Sequence, residues 1–114
     1  MSINYELQLE SWKKAVGAYQ QSGSKAVADF GQLHADATRS GAIPAKYKAL
    51  MGLALGIAAR CEGCIVTHTQ GAIKEGATME EIVETVDVAL MMGGGPSYMY
   101  GGRAIECAKQ FLNL

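Results

Sequence analysis

Charge of one sign is scarce in this chain: ten Lys and Arg stand against eleven Asp and Glu, for a net charge of −1. No basic run is present that could follow a phosphate backbone, which argues against nucleic acid as a partner. Long hydrophobic runs are also missing. The longest, Ala49 to Ala59, contains two glycines and is about half of the ~20 residues a membrane span requires. The first residues, Met1-Ser2-Ile3-Asn4-Tyr5-Glu6, lack the basic and apolar segments of a secretory signal, so the expected location is cytoplasmic. Cysteine occurs three times, an odd number that suits a reducing compartment better than a secreted disulfide scaffold. No run alternates apolar and polar residues between hairpin signals, which points away from β structure. The expected fold is all-α. At 114 residues, it is one domain, 1–114, near the size at which association with further copies of itself aids stability.

Helical periodicity is what the chain does have. A first helix is expected over about Tyr5 to Tyr19, with Leu7, Trp12, Val16 and Tyr19 as its apolar stripe, and a second over Lys25 to Ala37 through Val27, Phe30 and Leu33. Pro44 suits a first helical turn. Lys46 to Arg60 is apolar almost all round, the pattern of a helix buried on most faces. Thr78-Met79-Glu80-Glu81 reads as a capping box that starts a helix. In that helix Ile82, Val86 and Ala89 form the inward stripe, and Glu80, Glu84 and Asp87 a solvated one. Gly93-Gly94-Gly95-Pro96 interrupts the helix, and a last one is expected over Ser97 to Phe111. The triple glycine lacks the spacing and preceding strand of a dinucleotide site, and no cofactor is expected.

The chemistry is concentrated in Cys61-Glu62-Gly63-Cys64, followed by His68. If residues 61–74 are helical, positions 61, 64 and 68 share one face. Two thiols at this spacing can cycle between dithiol and disulfide, and a helix N-terminus or an imidazole raises the fraction of reactive thiolate. Redox chemistry is therefore the first reading. Cys107 stands apart as a small buried apolar residue, and His34 as a histidine of the core or surface. Lys46, Lys48, Tyr98 and Tyr100 are further candidates to line a pocket.

The order of these parts, a long apolar helix ending in Cys-x-x-Cys-x-x-x-His, then Ala77-Thr78-x-Glu80-Glu81-Ile82-x-Glu84 and a glycine-rich joint, resembles the carboxymuconolactone decarboxylase family, and within it the alkylhydroperoxidase D branch. The resemblance spans roughly Phe30 to Ile105. It implies an all-helical bundle of about six helices, assembled as a homo-oligomer, a trimer or a hexamer, with thiol peroxidase or disulfide reductase activity. It also implies Cys64 as the peroxidatic cysteine, Cys61 as the resolving one and His68 in the proton relay. A hydroperoxide or disulfide would be the substrate, and a thioredoxin-like or lipoyl-bearing protein the reductant. Redox members of the family usually carry a glutamate twelve residues before the first cysteine, where this chain has Ala49. Glu62, between the cysteines, is the candidate to accept a proton in its place through water.

The residues leave other readings open. The roles of the two cysteines reverse if Cys61 is the more exposed and nearer a helix N-terminus. Two thiols and an imidazole are zinc ligands, although a structural site normally has four. A lactone decarboxylase or similar lyase using His68, a noncatalytic helical assembly, and a pair of merely buried thiols complete the alternatives.

Overall fold

The computed structural model describes residues 2–114. They form six helices: α1 (Tyr5–Gln20), α2 (Lys25–Thr38), α3 (Ala45–Ala58), α4 (Glu62–Lys74), α5 (Met79–Gly93) and α6 (Gly95–Phe111). No strand occurs among the described residues, so the all-α expectation holds.

Most of the helix starts follow from side chains that accept otherwise unpaired backbone N–H groups. Asn4 Oδ1 accepts the Leu7 N–H at 3.0 Å and Ser24 Oγ that of Val27 at 3.3 Å. The capping box is present in both directions: Thr78 Oγ1 accepts the Glu81 N–H at 3.1 Å, and Glu81 Oε1 accepts the Thr78 N–H at 2.9 Å. Lys46 reaches the same Glu81 at 2.9 Å and ties the start of α3 to the start of α5. Gly94, at φ 66°, is the single-residue joint between α5 and α6. Helix α6 then starts two residues earlier than Ser97, because Pro96 fits its first turn.

Helix α3 occupies the centre. Its Leu50, Leu53 and Ile57 join Ile65 and Ala72 of α4, Ile82 and Ala89 of α5, and Ala104 and Ala108 of α6 in one core. A smaller cluster, Tyr5, Leu9, Val66 and Cys107, seats α1 on α4 and α6. Tyr5 is held there by its hydroxyl, which donates to Glu106 at 2.5 Å. Gln110 fastens the same end, accepting the Tyr5 N–H and donating to the Ile3 carbonyl.

Two of the expected apolar stripes do not face this core. In α1 the buried residues are Tyr5 and Leu9, whereas Leu7, Val16 and Tyr19 are exposed and Trp12 lies at the edge, its indole over Gly63. Helix α2 buries nothing: Phe30 and Leu33 are 66% and 60% exposed. Periodicity marks a face that needs cover but does not say which surface covers it, and these two faces extend past the chain's own core. Ile82, Val86 and Ala89 of α5 do turn inward.

Candidate active site

The Cys61–Cys64 pair lies at the corner between α3 and α4. Helix α3 ends in a Schellman turn, with the Arg60 N–H donating to Ile57 O and the Cys61 N–H to Gly56 O, both at 3.0 Å. Arg60 takes the left-handed conformation, φ 57°, where glycine is usual and a side chain costs on the order of 1 kcal/mol. The same turn ends α4 with Gly76 at that position, φ 92°. Cys61 is thus not inside a helix, as a helical 61–74 would place it. It is the N-cap of α4, with extended dihedrals of −107° and 101°, and its Sγ accepts the Cys64 N–H at 3.1 Å.

This geometry brings the two cysteines together. Their Cα atoms are 5.2 Å apart and the sulfurs are bonded to each other. When the pair is reduced, the sulfur at the cap faces the positive end of the α4 dipole and a backbone N–H, both of which favour a thiolate there.

Two glycines on α3 let α4 come close. A Cβ on Gly56 would lie 3.0 Å from Cys64 Cβ and 3.5 Å from the Cys64 and Ile65 backbone. One on Gly52 would lie 2.6 Å from His68 Nδ1 and 2.8 Å from its Cε1. Cys64 and His68, four residues apart, therefore rest on two glycines that are also four apart. The spacing argument for the cysteines gives Gly52 and Gly56 no role, although a glycine pair on one face of an apolar helix is itself a sign of close helix approach.

His68 is half-buried and forms one wall of a cleft of about 210 Å³ between α2, α3 and α4, which Ala49 also lines. His34, from α2, stacks on it with ring centroids 6.2 Å apart and planes at 28°. Burial, and then the nearby His34, hold the His68 imidazole below its ordinary value of 6.5. The ring is thus a neutral base at neutral pH.

The same shift gives a stability prediction. A folded-state value below the unfolded 6.5 means that the unfolded chain binds more protons in that window. The contribution is therefore complete above about pH 6.5 and is lost as pH falls through the folded value. The urea midpoint should fall more steeply between about pH 7 and pH 5 in the wild type than in His68→Gln. Equal pH dependence would contradict the assignment.

Glu62 is exposed and turned elsewhere. It lines a wide cleft with Tyr98, Tyr100, Arg103 and Glu106 on the α6 side, and shares no lining with the His34–His68 cleft. The two lysines singled out by sequence are otherwise engaged: Lys46 pairs with Glu81 and Lys48 donates to the Arg39 carbonyl at 2.8 Å. Among the described residues, no group of three or more His, Cys, Asp or Glu is arranged to hold a metal ion. No helix of the described chain is long and apolar enough to cross a membrane.

The carboxymuconolactone decarboxylase family model matches residues 25–106, which include every element of this corner. The chain belongs to that family. The solved structure of a carboxymuconolactone decarboxylase family protein from Legionella pneumophila, in its apo form, superposes with a TM-score of 0.89 at 34% identity, covering 94% of this chain and 96% of that one. A family member from Thermotoga maritima, described as a candidate for a part in antioxidative response, gives 0.85 at 28% identity, covering 93% and 91%. An uncharacterised protein of Cupriavidus necator is 31% identical over 105 residues, 92% of this chain and 93% of its own.

As a carboxymuconolactone decarboxylase family member, the chain carries the cysteine pair and the histidine together with an alanine, Ala49, on the facing helix α3. The methyl group of Ala49 lines the His34–His68 cleft. The third cysteine stays out of the site. Cys107 is fully buried, and burial pushes its thiol up to about 12, so it carries almost no thiolate at neutral pH.

Proposed function

We propose that this protein is a thiol-dependent oxidoreductase that reduces hydroperoxides or disulfides through the Cys61–Cys64 pair. The observation that carries this reading is the pair at the α4 N-terminus, with the imidazole base His68 one turn beyond Cys64 on the glycine-opened face of α3.

In the cycle, His68 takes the Cys64 proton and the thiolate attacks the terminal oxygen of a hydroperoxide. The O–O bond breaks, the alkoxide leaves with a proton from the imidazolium, and Cys64 is left as a sulfenic acid. The Cys61 thiolate attacks that sulfur and expels hydroxide, which is protonated to water, forming the disulfide. An external dithiol, of thioredoxin-like or lipoyl type, then attacks Cys64 Sγ. Cys61 is the better leaving thiolate, because its cap position stabilises the charge. The partner's second thiol resolves the mixed disulfide and leaves both cysteines reduced.

Purified protein supplied with dihydrolipoamide and cumene hydroperoxide should consume both in equal amounts. Undiminished consumption by the Cys61→Ser, Cys64→Ser double variant would sink the proposal. Val16, Tyr19, Phe30, Leu33, Met51 and Leu55 are exposed apolar side chains on α1, α2 and α3, the residue type that a subunit contact would cover. A trimer or hexamer of this chain is proposed to cover them. Light scattering should give three or six times the 12.1 kDa chain mass, and a monomer would refute the assembly.

A further inference from the structure

Before peroxide binds, the proton that His68 takes from Cys64 can pass out of the site, and the walls of its cleft differ in what they offer. Helix α3 contributes only the methyl groups of Ala45 and Ala49. Helix α4 and its C-cap contribute Thr67 and Glu75. Glu75 lies seven residues beyond His68, about 10 Å along the axis at 1.5 Å per residue. Helix α2 contributes Thr38, which already donates its hydroxyl proton to the His34 carbonyl at 2.7 Å, and His34 itself. The titratable groups of the cleft are thus His34, His68 and Glu75, and of the other two only His34 stacks on His68.

We infer that His34 is the outer proton-transfer residue of this site, passing protons between His68 and solvent. The inference rests on the redox reading above. Ring centroids 6.2 Å apart put even the near edges of the two rings beyond a direct N–H···N bond. They are close enough for one bridging water. As the thiolate forms, the proton leaves the Cys64 thiol for His68 and crosses that water to His34 and bulk; when the O–O bond breaks, a solvent proton returns by the same route to His68, which hands it to the alkoxide. Within the single chain His34 is exposed, so the relay ends at the chain's surface. No electron moves and no further reactant is needed in this step. The arrangement also gives Ala49 a physical sense, since a small residue there leaves space for the water and for an imidazole on the opposite wall. His34 acts through His68 and is a positioning and relay residue, not a catalytic one.

The test follows oxidation of the reduced protein by cumene hydroperoxide in single turnover, using fluorescence of Trp12, whose indole lies over Gly63 inside the motif. His34→Ala removes an exposed side chain and should leave folding intact. Its oxidation rate near neutral pH should fall roughly tenfold or more. Added imidazole should restore the rate in proportion to its concentration, while His34→Gln, which can hydrogen-bond but not titrate, should remain slow. Wild-type rates in His34→Ala, or full recovery in His34→Gln without imidazole, would overturn the relay and leave the redox reading standing. A wild-type protein that peroxide does not oxidise would overturn both.

Discussion

Gly52→Ala is expected to slow peroxide-driven oxidation of the Cys61–Cys64 pair by about 10²-fold, with the pair itself still able to form. The added methyl would meet His68 Nδ1 at 2.6 Å, well inside any permitted contact, and α3 is packed too tightly on α4 and α5 to retreat freely. The ring must therefore rotate out of the position from which it serves Cys64. General-base catalysis of this kind typically contributes 10² to 10⁴, and most of that should be lost. Overpacking should also lower stability by about 1–3 kcal/mol. Gly17→Ala is the control: it is also helical, nothing lies within 4 Å of its added carbon, and it should gain about 0.5–1 kcal/mol without a change in rate. Single-turnover rates for both variants decide the matter. A Gly52→Ala enzyme as fast as the wild type would mean that His68 does not act from this position.

Replacing the cysteines one at a time should separate their roles. Cys61→Ser should still consume one equivalent of hydroperoxide and stop at a Cys64 sulfenic acid, which a dimedone adduct at that residue would reveal by mass spectrometry. Cys64→Ser should lose the rapid reaction altogether, because the remaining thiol at the cap is not the one set a single turn before the base. The opposite pattern, with trapping at Cys61 and a silent Cys61→Ser, would reverse the order. The cap position makes that outcome a real competitor: Cys61 Sγ accepts a backbone N–H from α4, which favours a negatively charged sulfur there. The distinction is between nucleophile and leaving group. A low pKa favours departure, whereas attack on peroxide also needs a base placed to manage the proton.

How much of this was legible in the sequence depended on how local each signal is. The Thr78–Glu81 box and the Ile82, Val86, Ala89 stripe are contained in a few turns, and the structure reproduces them. The stripes of α1 and α2 have the same form but point away from the core, because periodicity carries no information about what lies opposite. At the site, the closeness of Cys61 and Cys64 followed from spacing alone. The cap position of Cys61 did not, since it depends on Arg60 taking a left-handed conformation that glycine usually announces, as Gly76 does one helix later. The stacking of His34 on His68 joins residues 34 positions apart on different helices, a relation set by packing and invisible to any window along the chain. Glu62 illustrates the reverse. Adjacent in sequence to both cysteines, it lines the α6-side cleft and not the one that holds His68.

The measurement that bears most directly on the central claim is a thiol count with disulfide mapping, on fully reduced protein before and after one equivalent of an organic hydroperoxide. The account predicts two reactive thiols in the native reduced chain, with the third, Cys107, titrating only after unfolding. It predicts loss of both reactive thiols as a Cys61–Cys64 bridge, and their return on adding a dithiol. Survival of both thiols through peroxide treatment would contradict the account.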